Sequence, residues 1–456
     1  MLRLKNQDML SGPLFSGMIL YTIPIILTSF LQLLFNAADL VIVGQFSGGS
    51  CVGAVGATSA IAGLLVGFFS GLSTGAGITV GHALGSRDLS EVHKTVHTTL
   101  PLALICGGIL TVIGVFSAED LLRMMDTPEN LLPLATVYMQ IYFGGSTFLI
   151  VYNYCAAILR ASGDTKSPLI FLSISGVLNV VLNILFVVVW HMDVAGVAWA
   201  TVISQAVSAL LVVRTLMRRT DACRLELTEL RIHKKQFLKM LRIGLPTGIQ
   251  CSLFYIANVI IQSSLNSFGD VFITGNSAAT NIEGFASAFI GAFQQTAVNY
   301  TSQNIGARQY KRVAKILKIG YACVGVAGLA IGLLFYFTGP ALLSVYIPDS
   351  MQAVEYGMIR LTYICVPYFL CGLMFVSGGA LTGTGAAFIP MLISILGVCG
   401  IRVGWVYTIF QLPGFHTPEC LFLSFPVSWG ITFLLQLGVF IWIYNKKLKG
   451  QDISLQ

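Results

Sequence analysis

Charge is scarce in this sequence. Of its 456 residues only 10% are Asp, Glu, Lys or Arg, against 55% hydrophobic, whereas a soluble domain carries roughly a quarter charged residues. That shortage excludes a water-soluble globular chain. Long polar segments are also missing: apolar stretches of roughly 20 residues, enough to cross about 30 Å of hydrocarbon, follow one another with short loops between them. Strict apolar/polar alternation is absent, which excludes an outer-membrane barrel and leaves helices as the way to satisfy the backbone in lipid. Twelve spans are expected, at 15–46, 52–84, 95–116, 133–159, 168–190, 194–216, 240–267, 273–304, 316–338, 357–383, 388–410 and 420–444. No small-residue cleavage site follows a short apolar core near the start, so the first span is expected to be retained.

Further absences narrow the chemistry. The ten cysteines include no Cys-x-x-Cys pair and no Cys/His cluster at metal spacing, so they are expected to serve as small apolar filler, with no firm metal site. His82, His97 and His191 lie near span ends without acidic or histidine partners at useful spacing. No GxxxxGK[ST] loop occurs, which argues against ATP and leaves an ion gradient as the energy source. Paired catalytic aspartates, a Ser/His couple and HExxH are also missing, which argues against an intramembrane enzyme.

The charges that are present are unevenly placed. With a cytoplasmic N-terminus, 23 of the 26 basic residues fall on cytoplasmic segments, nine of them between Arg214 and Arg242. Arg123 lies outside, Arg360 at an expected helix start and Arg402 within a helix. The positive-inside rule then puts both termini in the cytoplasm. This distribution accounts for the net charge of +7 without a nucleic-acid partner.

The sequence also repeats itself. "ITVGHALGSRDLSEVHK" at 78–94 matches "NYTSQNIGARQYKRVAK" at 299–315 at an offset of 221, pairing Gly85 with Gly306 and Arg87 with Arg308. Pro24 pairs with Pro246, Asn36 with Asn258, Gly163 with Gly385 and Pro168 with Pro390, all at 222. Two six-helix lobes follow, 1–216 and 240–456, joined by a basic linker at 217–239 and related by an axis along the membrane normal. Gly63, Gly67, Gly71 and Gly75, spaced by four, form a strip that lets another helix approach closely. Pro24, Pro246 and Pro367 lie inside spans and can bend them.

Polar residues inside the spans are few and ordered. Thr28, Gln32, Asn36 and Asp39 share one face of the first helix, and Gln250, Asn258 and Gln262 repeat the stripe on the seventh, with Phe254 between. Of nineteen acidic residues only Asp39 and Glu283 fall within spans. Glu283 and Arg402 are expected to form an ion pair within the second lobe, with a coupling role as the alternative. Asp39 has only neutral neighbours, Gln32 and Asn36, and no basic residue in the first lobe's spans to neutralise it. Such a carboxylate can gain and lose a proton as water access changes, which marks it as a coupling site.

Seven segments in order carry a family resemblance: "IPIILTSFLQLLFNAADLVIVGQF" (23–46), "ALGSRD" (83–88), "LRASGDTKSP" (159–168), "GVLNVVLNILF" (176–186), "AGVAWATVISQ" (195–205), "IGLPTGIQ" (243–250) and "TSQNIGARQYKR" (301–312). Over essentially its full length the chain resembles the multidrug and toxic compound extrusion (MATE) transporters, most closely their DinF-like branch. The resemblance implies an all-α membrane protein of twelve transmembrane helices in two pseudo-symmetric six-helix bundles forming a V. It also implies efflux of organic, lipophilic cationic substrates from the cytoplasm, across the cell membrane, by alternating access and antiport against H+ or Na+. By position Asp39 matches the acidic residue of helix 1 used for cation coupling, and Asn179, Asn183, Thr201 and Asn153 match the polar residues around it. Asn183 stands where some members carry a second acid, and Phe254 where the NorM-like branch carries a glutamate. These departures weaken a multi-carboxylate Na+ cage and favour H+, although one Asp with Asn and Thr oxygens can hold Na+.

Gln32, Asn36, Asn153, Gln250, Asn258, Gln262, Glu283 and Arg402 are the substrate-cleft candidates, with Tyr152 and Tyr255 as aromatic surfaces for flat cations. A monomer in the lipid bilayer, acting on small organic substrates, is expected. The runner-up is a lipid-linked oligosaccharide flippase of the same superfamily. Its anionic headgroup would call for several cleft-facing basic residues, and only Arg402 and Arg360 lie within spans.

Overall fold

The computed structural model describes residues 7–348 and 350–448; Arg3, Lys5 and Lys449 of the charge pattern lie outside them. The described residues form helices and loops with no strand. The helices are α1 (Leu14–Phe46), α2 (Gly49–Gly85), α3 (Leu89–Phe116), α4 (Ala118–Met124), α5 (Leu132–Gly144), α6 (Ser146–Ala161), α7 (Lys166–Asn183) and α8 (Asp193–Met217). The second half holds α9 (Lys234–Leu265), α10 (Asp270–Gly306), α11 (Tyr310–Tyr346), α12 (Met351–Arg360), α13 (Tyr368–Gly383), α14 (Phe388–Ser394), α15 (Ile401–Tyr407) and α16 (Pro418–Ile443). Among the described residues nine helical stretches are long and apolar enough to cross a bilayer, and two bent pairs, α5 with α6 and α12 with α13, raise this to eleven. The remaining expected span, 273–304, forms the 37-residue α10, whose Asn276, Asn281, Glu283, Gln294, Gln295 and Asn299 make it too polar to count on composition alone.

The repeat is written into the backbone. Gly163 and Gly385 both take the left-handed region, at φ +89° and +88°, and Arg87 and Arg308 share φ +57°. At Gly163 a Cβ would stand 2.3 Å from the Gln7 carbonyl oxygen, so only glycine fits that turn. The bends correspond as well: α5 meets α6 at 44° around Gly145, and α12 meets α13 at 43° around Pro367, positions again 222 apart. Side-chain caps start α3, where Asp88 accepts from the Glu91 N–H, α12, where Ser350 accepts from Ala353, and α16, where Thr417 accepts from Cys420.

Two compact units emerge, and their boundaries differ from the division at 216/240. The first is Ile23–Ser252 with the stretch ending at Asp8, and the second is Met9–Thr22 with the chain from Leu253 onward. The linker belongs to the first unit because it is bonded there. The Thr98 hydroxyl donates to the Arg231 carbonyl at 3.3 Å and accepts from the His233 N–H at 3.1 Å, and Lys239 pairs with Glu91 at 3.2 Å.

The long helices α1 and α9 each contribute to both units. In the first unit Gly71 and Gly75 of α2 pack on Gly248 and Gly244 of α9; a Cβ at Gly75 would lie 2.2 Å from the Met240 carbonyl oxygen. In the second unit the corresponding place is filled by threonines, Thr22 and Thr296, whose hydroxyls meet at 2.8 Å. Bare backbone contact and a hydroxyl bridge are two solutions to the same close approach.

All ten cysteines are free. His97 does have partners, contrary to the expectation from spacing. Its ring lies 4.0 Å from that of His93, and Glu229 of the linker joins them in a group whose ligand atoms lie within 4.8 Å of one another. Both His97 ring nitrogens are engaged, Nδ1 with the His93 carbonyl at 2.8 Å and Nε2 with the Glu226 N–H at 3.0 Å, so His97 fastens the linker to α3.

Candidate functional site

α1 is brought against α7 by a glycine. Gly176 presents bare backbone to the Phe35 ring; a Cβ there would lie 1.7 Å from Phe35 Cε2. One turn along α1 from Phe35 is Asp39, and two turns along α7 from Gly176 is Asn183, so the contact that needs Gly176 also aligns the two polar side chains. Asn183 Nδ2 donates a short hydrogen bond to Asp39 Oδ1 and a second, at 3.2 Å, to Asn179 Oδ1. Asn179 Nδ2 in turn points to Thr201 Oγ1 of α8 at 3.5 Å. Asp39, Asn183, Asn179 and Thr201 are thus one chain of hydrogen bonds across three helices.

Asp39, Asn179 and Thr201 border a cavity of about 140 Å³ in the first unit, lined by Gln32, Phe35, Asn36 and Asp39 of α1, Leu149 and Tyr152 of α6, residues of α7 including Ser175 and Asn179, and Thr201, Ser204, Gln205 and Ser208 of α8. No Lys or Arg is among the lining residues, and Asp39 has no ion-pair partner among the described residues. Asn183 is fully buried, and its Oδ1 has no hydrogen-bond partner, as is true of Ser204 Oγ and Gln205 Oε1. Buried oxygens without donors are costly, and their grouping beside a lone carboxylate gives this cavity unused acceptors able to take a proton or a cation. A π-helical turn, Ile184–Val189, begins directly after Asn183; such turns recur at functional sites.

Other expected residues are placed differently. Thr28 does not line the cavity; its hydroxyl bonds the Pro24 carbonyl at 2.7 Å. Asn153 is not among the lining residues, while its neighbour Tyr152 is, with its hydroxyl on the Pro168 carbonyl at 3.3 Å. Gln250 lines neither this cavity nor that of the second unit, and Tyr255 is exposed. Ser204, Gln205 and Ser208 were not singled out from sequence, yet they follow Thr201 at helical spacing, the same signal that marked the stripe on α1.

The second unit holds a cavity of about 150 Å³ lined by Phe254, Asn258, Glu283, Tyr368, Phe375, Arg402, Phe425 and Trp429, among others. The expected Glu283–Arg402 ion pair is not formed. Glu283 Oε2 accepts instead from Arg360, through Nε at 2.9 Å and a terminal nitrogen at 2.7 Å. Arg360 is the tenth and last residue of α12, so it lies inside the span and not at a helix start. Its other terminal nitrogen donates to Asn276 Oδ1 at 2.8 Å, and Asn276 Nδ2 donates to Gln262 Oε1 at 3.4 Å. Gln262 therefore belongs to this polar network. Arg402, 5% exposed, donates through Nε to Ser428 Oγ at 3.0 Å and lies 3.9 Å from the Phe425 ring centroid.

Comparison with known proteins places this geometry. The family model described as MatE matches twice, over residues 24–185 and 246–408, so the internal repeat is also a repeat of the family unit. The chain is 26% identical to the probable multidrug resistance protein YoeA of Bacillus subtilis, covering 97% of each chain. It is 28% identical to the probable multidrug resistance protein YpnP of the same organism, covering 88% of this chain and 89% of that one. A crystal structure of MATE in complex with MaL6 superposes with a TM-score of 0.90 at 20% identity, over 98% of this chain and 100% of that one.

Proposed function

The chain belongs to the MatE family of multidrug efflux transporters, and from that premise we propose that it exports lipophilic organic cations from the cytoplasm by antiport against inward protons. The observation that carries this reading is a carboxylate, Asp39, bonded only to a neutral amide whose own oxygen is unpartnered. An Asp at the centre of a spanning helix costs about 2.5–3.5 kcal/mol, and Asp39, seven residues inside the end of α1, bears part of that cost with nothing of opposite charge among the described residues to offset it. A group kept at such cost has a task.

The Asn183 amide suits both protonation states. With Asp39 ionised, Nδ2 donates to it, as observed; with Asp39 protonated, rotation of the amide offers the unpartnered Oδ1 to the new O–H. That rotation withdraws a donor from Asn179 and so alters the chain to Thr201. Protonation from the outside is thereby transmitted along α7 and α8 and lowers the affinity for bound substrate, and reciprocity requires substrate to favour proton release. Proton coupling is favoured over Na+ because Asn183 stands where a second carboxylate would strengthen a cation cage. The protein works in the cell membrane with both termini cytoplasmic, in keeping with its basic loops.

The test is substrate efflux from proteoliposomes under an imposed ΔpH or ΔNa+. Efflux driven by ΔpH in the parent and abolished in Asp39→Asn is expected. Undiminished gradient-driven efflux in a folded Asp39→Asn protein contradicts the coupling role, and efflux driven by ΔNa+ alone replaces the proton by sodium.

A further inference from the structure

The second-unit cavity contains a buried cation, Arg402, that makes no ion pair among the described residues. A guanidinium carries five N–H donors, and Arg402 uses one, Nε, on Ser428 Oγ. Its plane is covered by Phe425 at 3.9 Å and flanked by Trp429 at 5.6 Å, which leaves the in-plane edge of the fork open. The terminal nitrogens donate to no group among the described residues. Glu283, the carboxylate lining the same cavity, is held by Arg360 at 2.7 Å and makes no ion pair with Arg402. One positive charge is therefore in excess. Buried charges are ordinarily paired, so the open edge of Arg402 is a donor set awaiting an acceptor. The other walls, Phe254, Phe375 and Trp429, suit a flat apolar body.

We propose that this cavity is a subsite for an organic monoanion, taking the carboxylate or sulfonate of an aromatic acid or zwitterion on the terminal nitrogens of Arg402 and its ring against the aromatic walls. The proposal rests on the reading of the chain as an exporter and widens its substrates from lipophilic cations to molecules that carry an acidic group. Arg suits the task because its fork meets a carboxylate through two parallel hydrogen bonds, which Lys cannot do.

A matched pair of probes, 2-naphthoate and 2-naphthyltrimethylammonium, separates charge from shape. Equilibrium binding is measured on the full chain in detergent, and efflux of both probes in phosphatidylcholine proteoliposomes. The parent is expected to bind naphthoate. Arg402→Gln should weaken naphthoate by about tenfold or more while changing the cation by less than about twofold, as expected for losing charge-assisted hydrogen bonds at one end of the ligand. Arg402→Lys keeps the charge that the fold has accommodated and should weaken naphthoate severalfold, again without effect on the cation. Three results overturn the subsite: no naphthoate binding by the parent, equal binding by the parent and Arg402→Gln, or equal weakening of both probes in both variants, which marks a purely structural arginine. Gradient-driven efflux of the cation without naphthoate binding overturns the subsite and leaves export standing. Naphthoate binding that depends on Arg402, without efflux of either probe, supports the subsite and overturns export.

Discussion

The two cavities share six wall positions and hold opposite chemistry. Six residues lining the first, Gln32, Phe35, Asn36, Leu149, Tyr152 and Gly176, correspond at an offset of 222 to Phe254, Ala257, Asn258, Cys371, Met374 and Val398, all of which line the second. The ionisable residues do not correspond at all. Asp39 matches buried Ile261, Glu283 matches buried Ile61, Arg402 matches Val180, and Arg360 matches Tyr138. Duplication supplied the scaffold, and each half then placed its charges on different walls of it. In the first half the acid is left without a cation; in the second the acid is neutralised and a cation is left over.

That contrast makes opposite stability effects the largest expected difference. Arg360→Met strands Glu283 in a site where its side chain is only 15% exposed, and should cost about 3–5 kcal/mol, read as a lowered Tm in detergent. Adding Glu283→Gln should return most of the loss, because the uncompensated charge goes with it. Asp39→Asn removes a charge that has no ion-pair partner among the described residues, so its Tm should match or exceed the parent's. A Tm drop in Asp39→Asn as large as that in Arg360→Met would erase the distinction between the cavities.

The helix crossings sharpen the same comparison at smaller scale. Gly75→Ala drives a methyl into the Met240 carbonyl and should cost about 1–3 kcal/mol. Thr22→Val at the equivalent crossing removes a buried hydroxyl that donates to the Met18 carbonyl and meets Thr296 Oγ1, and should cost about 1 kcal/mol. Equal losses would mean that the two approaches are equally tight.

The smallest effect concerns the linker, which only the first unit holds. Burial opposes ionisation of Asp221, but the Arg219 guanidinium and the Cys223 N–H outweigh it and hold the carboxyl below its ordinary value of 3.8. A depressed carboxyl contributes stability that is present above that ordinary value and lost as pH falls through the folded one. Hydrogen exchange around residues 219–225 should therefore rise only below about pH 4, and Asp221→Asn should remove that acid step; exchange unchanged at low pH would show that the pair does not fasten the linker.

Much of the fold was legible because membrane helices announce themselves by length and the repeat by constant offset. α10 was the exception in kind: its polar residues serve interior contacts, so it reads as a span from its place in the repeat better than from its composition. The chain Asp39, Asn183, Asn179, Thr201 was legible through resemblance and helical spacing together. The partner of Glu283 was not. Arg360 was set at a helix start because the apolar run begins near 357, whereas the helix begins at Met351, and a contact between residues 77 apart in sequence leaves no periodic trace. The linker's hold on His97 was hidden for the same reason, since Glu226 reaches it across 129 residues.

The central claim is that proton exchange belongs to the first cavity and not to the second. It is tested most directly by adding substrate to the full chain in weakly buffered detergent solution and measuring the protons released. Release from the parent and from the Glu283→Gln/Arg360→Met double variant, with none from Asp39→Asn, is the expected result. Release that survives in Asp39→Asn and vanishes in the double variant would contradict it.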